Sequence, residues 1–124
     1  MSNHNILIVE DDDSVRNMMN KIIAKLFHNI SVTCVRNGEE AIREINNNYD
    51  LIFLDINLTT GKINGVETLE KIKGIKPEQN VYMMTGYPVG YDDEKIIKEN
   101  ALGILEKPFE FEKLSDIIDN IISK

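Results

Sequence analysis

The alternation of two kinds of apolar segment most narrows what this chain can fold into. Ile6-Leu7-Ile8-Val9, Leu51-Ile52-Phe53-Leu54 and Val81-Tyr82-Met83-Met84 are unbroken apolar blocks. Such blocks present no polar face to water, as expected of strands covered on both sides of a parallel sheet. Two weaker strands complete the set. Ser31-Val32-Thr33-Cys34-Val35 is β-branched and nearly alternating, and Gly103-Ile104-Leu105-Glu106 is short and stops at Lys107-Pro108. Between the strands the apolar spacing changes to three and four. Val15, Met18, Met19, Ile22, Ile23, Leu26 and Phe27 trace one helical stripe, and Leu114, Ile117, Ile118, Ile121 and Ile122 trace another. Ala41, Ile42 and Ile45 follow Asn37-Gly38 with the same step, as do Val66, Leu69 and Ile72. The weakest helix spans 92–100, where Ile96 and Ile97 supply little apolar surface and the pairs Glu94/Lys98 and Lys95/Glu99 supply i,i+4 charge. A β-α unit repeated five times predicts an α/β fold, a parallel sheet with helices on both faces joined by right-handed crossovers.

The 124 residues suit one domain, expected to run from 1 to 124 with no effector domain attached. No run reaches the roughly 18 apolar residues of a membrane span, and Met1-Ser2-Asn3-His4 does not begin an export signal. The formal charge of −7 argues against direct binding to nucleic acid or an anionic membrane and favours cations or basic partners. Cys34 is the single cysteine, and His4 and His28 stand far apart, so neither a disulfide framework nor a histidine metal box is expected. A cytoplasmic location follows as the expectation, with Cys34 packed in the core.

In doubly wound sheets, ligand chemistry gathers where strands end and their order reverses. Glu10, Asp11, Asp12 and Asp13 follow the first strand, Asp55 the third, Thr85 and Gly86 the fourth, Lys107 and Pro108 the fifth. Asp12 and Asp13 directly precede a helix and read as its cap and dipole partner. Glu10, Asp11 and Asp55 are different. Three carboxylates converging on one crevice repel and raise one another's pKa values unless a cation joins them, and an all-oxygen set suits Mg²⁺, with Mn²⁺ as a substitute. Asp55 ends a wholly apolar strand, where a carboxylate has no packing role, and with Lys107 across the crevice it is placed to act as a nucleophile toward phosphorus. The Thr85 hydroxyl and Lys107 can bind phosphoryl oxygens, and Gly86 leaves them room.

Glu10-Asp11-Asp12 after Ile6-Leu7-Ile8-Val9, then Leu54-Asp55, Met84-Thr85-Gly86 and Lys107-Pro108-Phe109, together resemble the receiver domain of two-component response regulators. The intervals 55 to 85 and 85 to 107 fit that family's spacing, and the likeness covers essentially the whole chain. It implies a flavodoxin-like sheet of strand order 2-1-3-4-5 with five helices, similar to a single-domain chemotaxis regulator. By the same resemblance Asp55 is the phosphoacceptor, and Glu10 and Asp11 hold Mg²⁺ together with Asp55 and the backbone carbonyl of Asn57. Thr85 is the switch hydroxyl, and Lys107 the phosphate-binding lysine, followed by a cis proline. The implied donor is a phosphohistidine on a sensor histidine kinase or a histidine phosphotransfer protein, the receiver itself catalysing transfer, and the output is contact with a downstream protein target.

The chain departs from the family's pattern at three places. Residues 58–65 make a loop about two residues longer than usual, without the common proline and with Asn64-Gly65 in place of Asp-Gly. Ile104 stands where a rotating Tyr or Phe is frequent, and Tyr87, two residues after Thr85, is positioned to cover part of the phosphoryl site. Other classes fit less well. A haloacid-dehalogenase-type phosphohydrolase resembles Asp55-Ile56-Asn57-Leu58-Thr59 but needs a second acid where Asn57 stands, and it carries its nucleophile on the first strand. A flavin carrier would need a glycine- and hydroxyl-rich phosphate loop after the first strand. A receiver-like docking module that is never phosphorylated has no use for the retained acids, Thr85 and Lys107.

Overall fold

The computed structural model describes residues 3–122; Met1, Ser2, Ser123 and Lys124, the outermost positions of the expected 1–124 unit, lie outside the described residues. Five β-α units follow in order: β1 (His4–Val9), α1 (Asp13–Leu26), β2 (Ile30–Val35), α2 (Gly38–Glu44), β3 (Leu51–Asp55), α3 (Gly65–Ile75), β4 (Val81–Thr85), α4 (Tyr91–Asn100), β5 (Gly103–Glu106) and α5 (Phe111–Ile122). All strand pairs are parallel and the sheet order is β2-β1-β3-β4-β5, as expected. Strand order reverses at β1, which places the crevice between the carboxyl ends of β1 and β3.

The sheet divides the interior into two cores. Leu7, Val9, Ile52, Leu54, Val81 and Met83 face α2, α3 and α4, while Ile6, Ile8, Leu51, Phe53 and Met84 face α1 and α5. Consecutive strand residues therefore bury on opposite faces, which accounts for the unbroken apolar blocks. On α1 the buried stripe is narrower than the periodicity predicts. Met19, Ile22 and Ile23 are buried, whereas Met18 and Leu26 are exposed. Ile45 is buried as expected but belongs to a 3-10 turn over Ile45–Asn47 that ends α2. Helix α4 buries only Ile97, and its N-cap, Gly90, makes no side-chain capping bond. Glu94 and Lys98 pair at 3.0 Å, but among the described residues Lys95 and Glu99 do not. Cys34 is half-buried beside the second core and accepts a hydrogen bond from the Asn20 amide at 3.6 Å. Among the described residues no helix is long and apolar enough to cross a membrane.

Candidate functional site

Strand register assembles the site. Val9 lies opposite Leu54 in the β1–β3 ladder, so the next residues, Glu10 and Asp55, emerge side by side. Asp55 lies opposite Met84, and Thr85 opposite Glu106, so Thr85 and Lys107 close the same edge from β4 and β5. Backbone bonds continue each ladder past its strand. The Glu10 N–H donates to Val35 O, that of Ile56 to Met84 O, and that of Lys107 to Thr85 O at 2.7 Å. The peptide bond between Lys107 and Pro108 is cis.

Glu10 is fully buried and Asp55 is 3% exposed. The Lys107 ammonium makes a short contact with Glu10 Oε1 and stands 3.4 Å from Asp55 Oδ2. Among the described residues Glu10 Oε2 is buried without a hydrogen-bond partner. Burial and the neighbouring Asp55 push the Glu10 carboxyl up to about 8 against the opposing pull of Lys107. Burial also draws the Lys107 ammonium down, but Glu10 and Asp55 outweigh it and hold its pKa above the ordinary lysine value. Asp11 behaves differently. Burial raises it, yet hydrogen bonds from the Thr59 hydroxyl and N–H prevail and leave it below the usual aspartate range. The expected mutual raising of pKa values therefore holds for Glu10 and is reversed at Asp11. One carboxylate oxygen each from Glu10, Asp11 and Asp55 lie within 4.8 Å of one another. An orphaned buried oxygen in an all-carboxylate set of that size fits a hard divalent cation.

The caps expected from sequence are present: Asp12 accepts from the Ser14 N–H at 2.8 Å at the start of α1, and Asp13 pairs with Arg16. Arg16 also donates to the Glu10 carbonyl at 2.6 Å, tying α1 to the crevice. Thr85 reaches the site's edge, but its hydroxyl engages other groups than Asp55. It lies 3.0 Å from Asn57 Oδ1 and 2.8 Å from the Tyr87 carbonyl as donor, and accepts from the Tyr87 N–H. The Asn57 N–H donates to Asp55 Oδ1 at 3.0 Å. Asn57 thus links Asp55 to Thr85, through contacts that its expected carbonyl role did not include. Tyr87 is 68% exposed and, with Thr85, Gly86, Pro88, Glu106 and Lys107, lines a cleft of about 330 Å³. Its ring is at the rim.

The long loop after β3 leads directly into a capped helix. Asn64 caps α3 and exchanges side-chain and backbone bonds with Glu67 in a capping box, so asparagine serves where Asp-Gly was the family habit. Gly65 answers a steric need. A Cβ there would lie 2.2 Å from the Asp55 carbonyl oxygen and 2.6 Å from Ile56 Cα, so only glycine lets α3 begin this close to β3. The sequence singled out Asn57, Thr59 and Gly65 only within motifs, and it gave no sign of the Asn57 amide contacts, the Thr59–Asp11 bonds or the closeness of Gly65 to Asp55.

Comparison with known proteins decides the family. The profile of the response regulator receiver domain matches residues 6–119. This chain belongs to the response regulator receiver family. The receiver is 32% identical over 120 residues to the nitrogen assimilation regulatory protein NtrX of Azorhizobium caulinodans, covering 96% of this chain and 26% of that protein. It is 25% identical over 122 residues to the transcriptional regulatory protein ZraR of Escherichia coli, covering 98% of this chain and 27% of ZraR. It therefore spans about a quarter of the length of these curated relatives. A CheY-like receiver domain from Methanospirillum hungatei superposes with a TM-score of 0.85 at 26% identity, covering 96% of this chain and 93% of that one. Receivers of this family act as phosphorylation-dependent switches, are phosphorylated by histidine kinases, and typically bind Mg²⁺ at an acidic cluster of the kind formed by Glu10, Asp11 and Asp55.

Proposed function

We propose that this receiver accepts a phosphoryl group on Asp55 from a phosphohistidine of a sensor histidine kinase or histidine phosphotransfer protein. The observation that carries the reading is Asp55 itself, a buried carboxylate 3.4 Å from the Lys107 ammonium and beside a second carboxylate with an orphaned oxygen. An Asp55 oxygen attacks phosphorus, the N–P bond breaks, and the imidazole keeps that electron pair and takes up a proton. Lys107 and the Thr85 hydroxyl stabilise the phosphoryl oxygens; Thr85 must first turn away from Tyr87 O and Asn57. Mg²⁺, or Mn²⁺ in its place, would be held by Glu10, Asp11, Asp55 and the Asn57 carbonyl, and would supply positive charge against the incoming phosphoryl group.

The same reading makes residues 1–124 one receiver unit working in the cytoplasm, with a protein as its downstream target rather than nucleic acid or membrane. Incubation with a small acyl phosphate and Mg²⁺, borohydride reduction and peptide mapping locate the acceptor. Reduction of Asp55 to the alcohol is expected. Modification at another residue would move the acceptor away from Asp55, and no modification would leave the non-phosphorylated docking module as the better reading.

A further inference from the structure

Asp11 is held by a residue far away in the chain. Its Oδ2 accepts two hydrogen bonds from Thr59, the N–H at 2.9 Å and the hydroxyl at 2.6 Å. Thr59 lies in the long loop between β3 and α3, and that loop is fixed independently on its far side. The Glu39 carboxylate, in the first turn of α2, accepts the N–H of Lys62 at 3.0 Å and of Ile63 at 3.1 Å. The Thr60 hydroxyl donates to Arg36 O at 3.1 Å, and Gly61 makes the required turn at φ +83°. Thr59 is thus presented to Asp11 from a braced strap, although its own side chain is at the surface.

We propose that Thr59 is a positioning residue for the divalent cation site. Both of its donors fall on Oδ2, which fixes the carboxylate's orientation and leaves Oδ1 outside the Thr59 contact. Asp11 is the least buried of the three clustered acids, so without this contact nothing comparable to β1 and β3 packing would hold it toward Glu10 and Asp55. Hydrogen bonds to a metal-ligating carboxylate set the ligand's orientation, and removing them typically costs 10–100-fold in metal affinity. By linkage the effect is reciprocal: cation binding at Asp11 should tighten the Thr59 strap by the same factor.

The inference rests on reading Glu10, Asp11 and Asp55 as a cation site, and one titration series separates the two claims. Mg²⁺ is titrated calorimetrically into wild type, Thr59→Val, Thr59→Ala and Thr59→Ser. Amide hydrogen exchange over residues 58–63 is followed with and without the ion. The expected result is a Kd raised about 10–100-fold in Thr59→Val and Thr59→Ala and close to wild type in Thr59→Ser, which keeps the hydroxyl. Mg²⁺ should slow exchange in the strap of wild type and Thr59→Ser and not in the other two. Wild type that binds while Thr59→Val binds equally well or more tightly, or Thr59→Ser as weak as Thr59→Val, overturns the role of Thr59 and spares the cation site. Wild type that takes up no Mg²⁺ removes both.

Discussion

The floor of the crevice and its rim are built in opposite ways. Glu10 and Asp55 stand at the ends of strands whose residues bury on both faces, and Lys107 is locked to the same ladder through Thr85 O. On the rim, Gly86, Tyr87 and Pro88 are exposed, Tyr91 is 85% exposed, and α4 buries one residue behind an N-terminus that no side chain caps. Few buried apolar contacts mean a low cost of local opening. On the proposed reading the difference separates two tasks: the groups that would meet phosphorus are preorganised by the sheet, and the segment that would report the event is the part free to repack. A ligand can bias only an element with two accessible arrangements.

Two glycines put that contrast to its strongest test. Gly65→Ala drives a methyl into the Asp55 carbonyl, and rigid backbone on both sides should make the loss about 3 kcal/mol, the upper end for overpacking. Gly86→Ala meets no heavy atom within 4 Å and should stay within about 0.5 kcal/mol of wild type. Denaturant midpoints measure both. Equal losses would erase the distinction between floor and rim.

The next effect is that of the cation. Free Mg²⁺ at a hundredfold its Kd should stabilise the fold by roughly 2.7 kcal/mol. Asp11→Asn should lose most of that response, because it removes a ligand charge, and thermal melts with and without the ion detect it. An unchanged response would place the ion elsewhere.

A separate effect is expected from pH. The Glu10 carboxyl ionises at about 4.5 when unfolded and is pushed up to about 8 when folded, so between these values the folded state binds more protons. Its contribution is fully present below about 4.5 and is lost as pH rises toward about 8. Melting temperature without divalent ions should fall across that window, and Glu10→Gln should flatten the fall. A Glu10→Gln profile as steep as wild type would assign the dependence to other groups.

The subtlest effect is at the rim. A phosphoryl mimic such as beryllofluoride should draw in Thr85 and alter hydrogen exchange between Tyr87 and Glu106, through repacking of the loop and α4. Ile104 offers no rotating aromatic hydroxyl. Changes confined to α1 would mean that the output face lies elsewhere.

The floor was far more legible in the sequence than the loops around it. An acid closing Leu51-Ile52-Phe53-Leu54 stands out because burial leaves it no packing role, and strand register then brings Glu10 beside it. The Thr59–Asp11 and Glu39–Lys62 bonds join residues 48 and 23 positions apart through irregular backbone, and such pairs leave no periodic trace. Gly65 was visible as part of the Asn64-Gly65 pair, but its closeness to the Asp55 carbonyl depends on where α3 docks. Met18 and Leu26 matched the α1 stripe by spacing alone, and the width of the face that packs on the sheet decided that they stay exposed. The Thr85 hydroxyl was placed correctly at the strand end, while its bonds to Asn57 and Tyr87 depend on loop conformation.

Whether the buried Asp55 is the acceptor can be read from the mass of the intact protein. Wild type and Asp55→Asn are incubated side by side with a small phosphodonor and Mg²⁺ and weighed at intervals. Wild type should gain the mass of one phosphoryl group and Asp55→Asn none; no gain in wild type, or an equal gain in both, would rule Asp55 out as the acceptor.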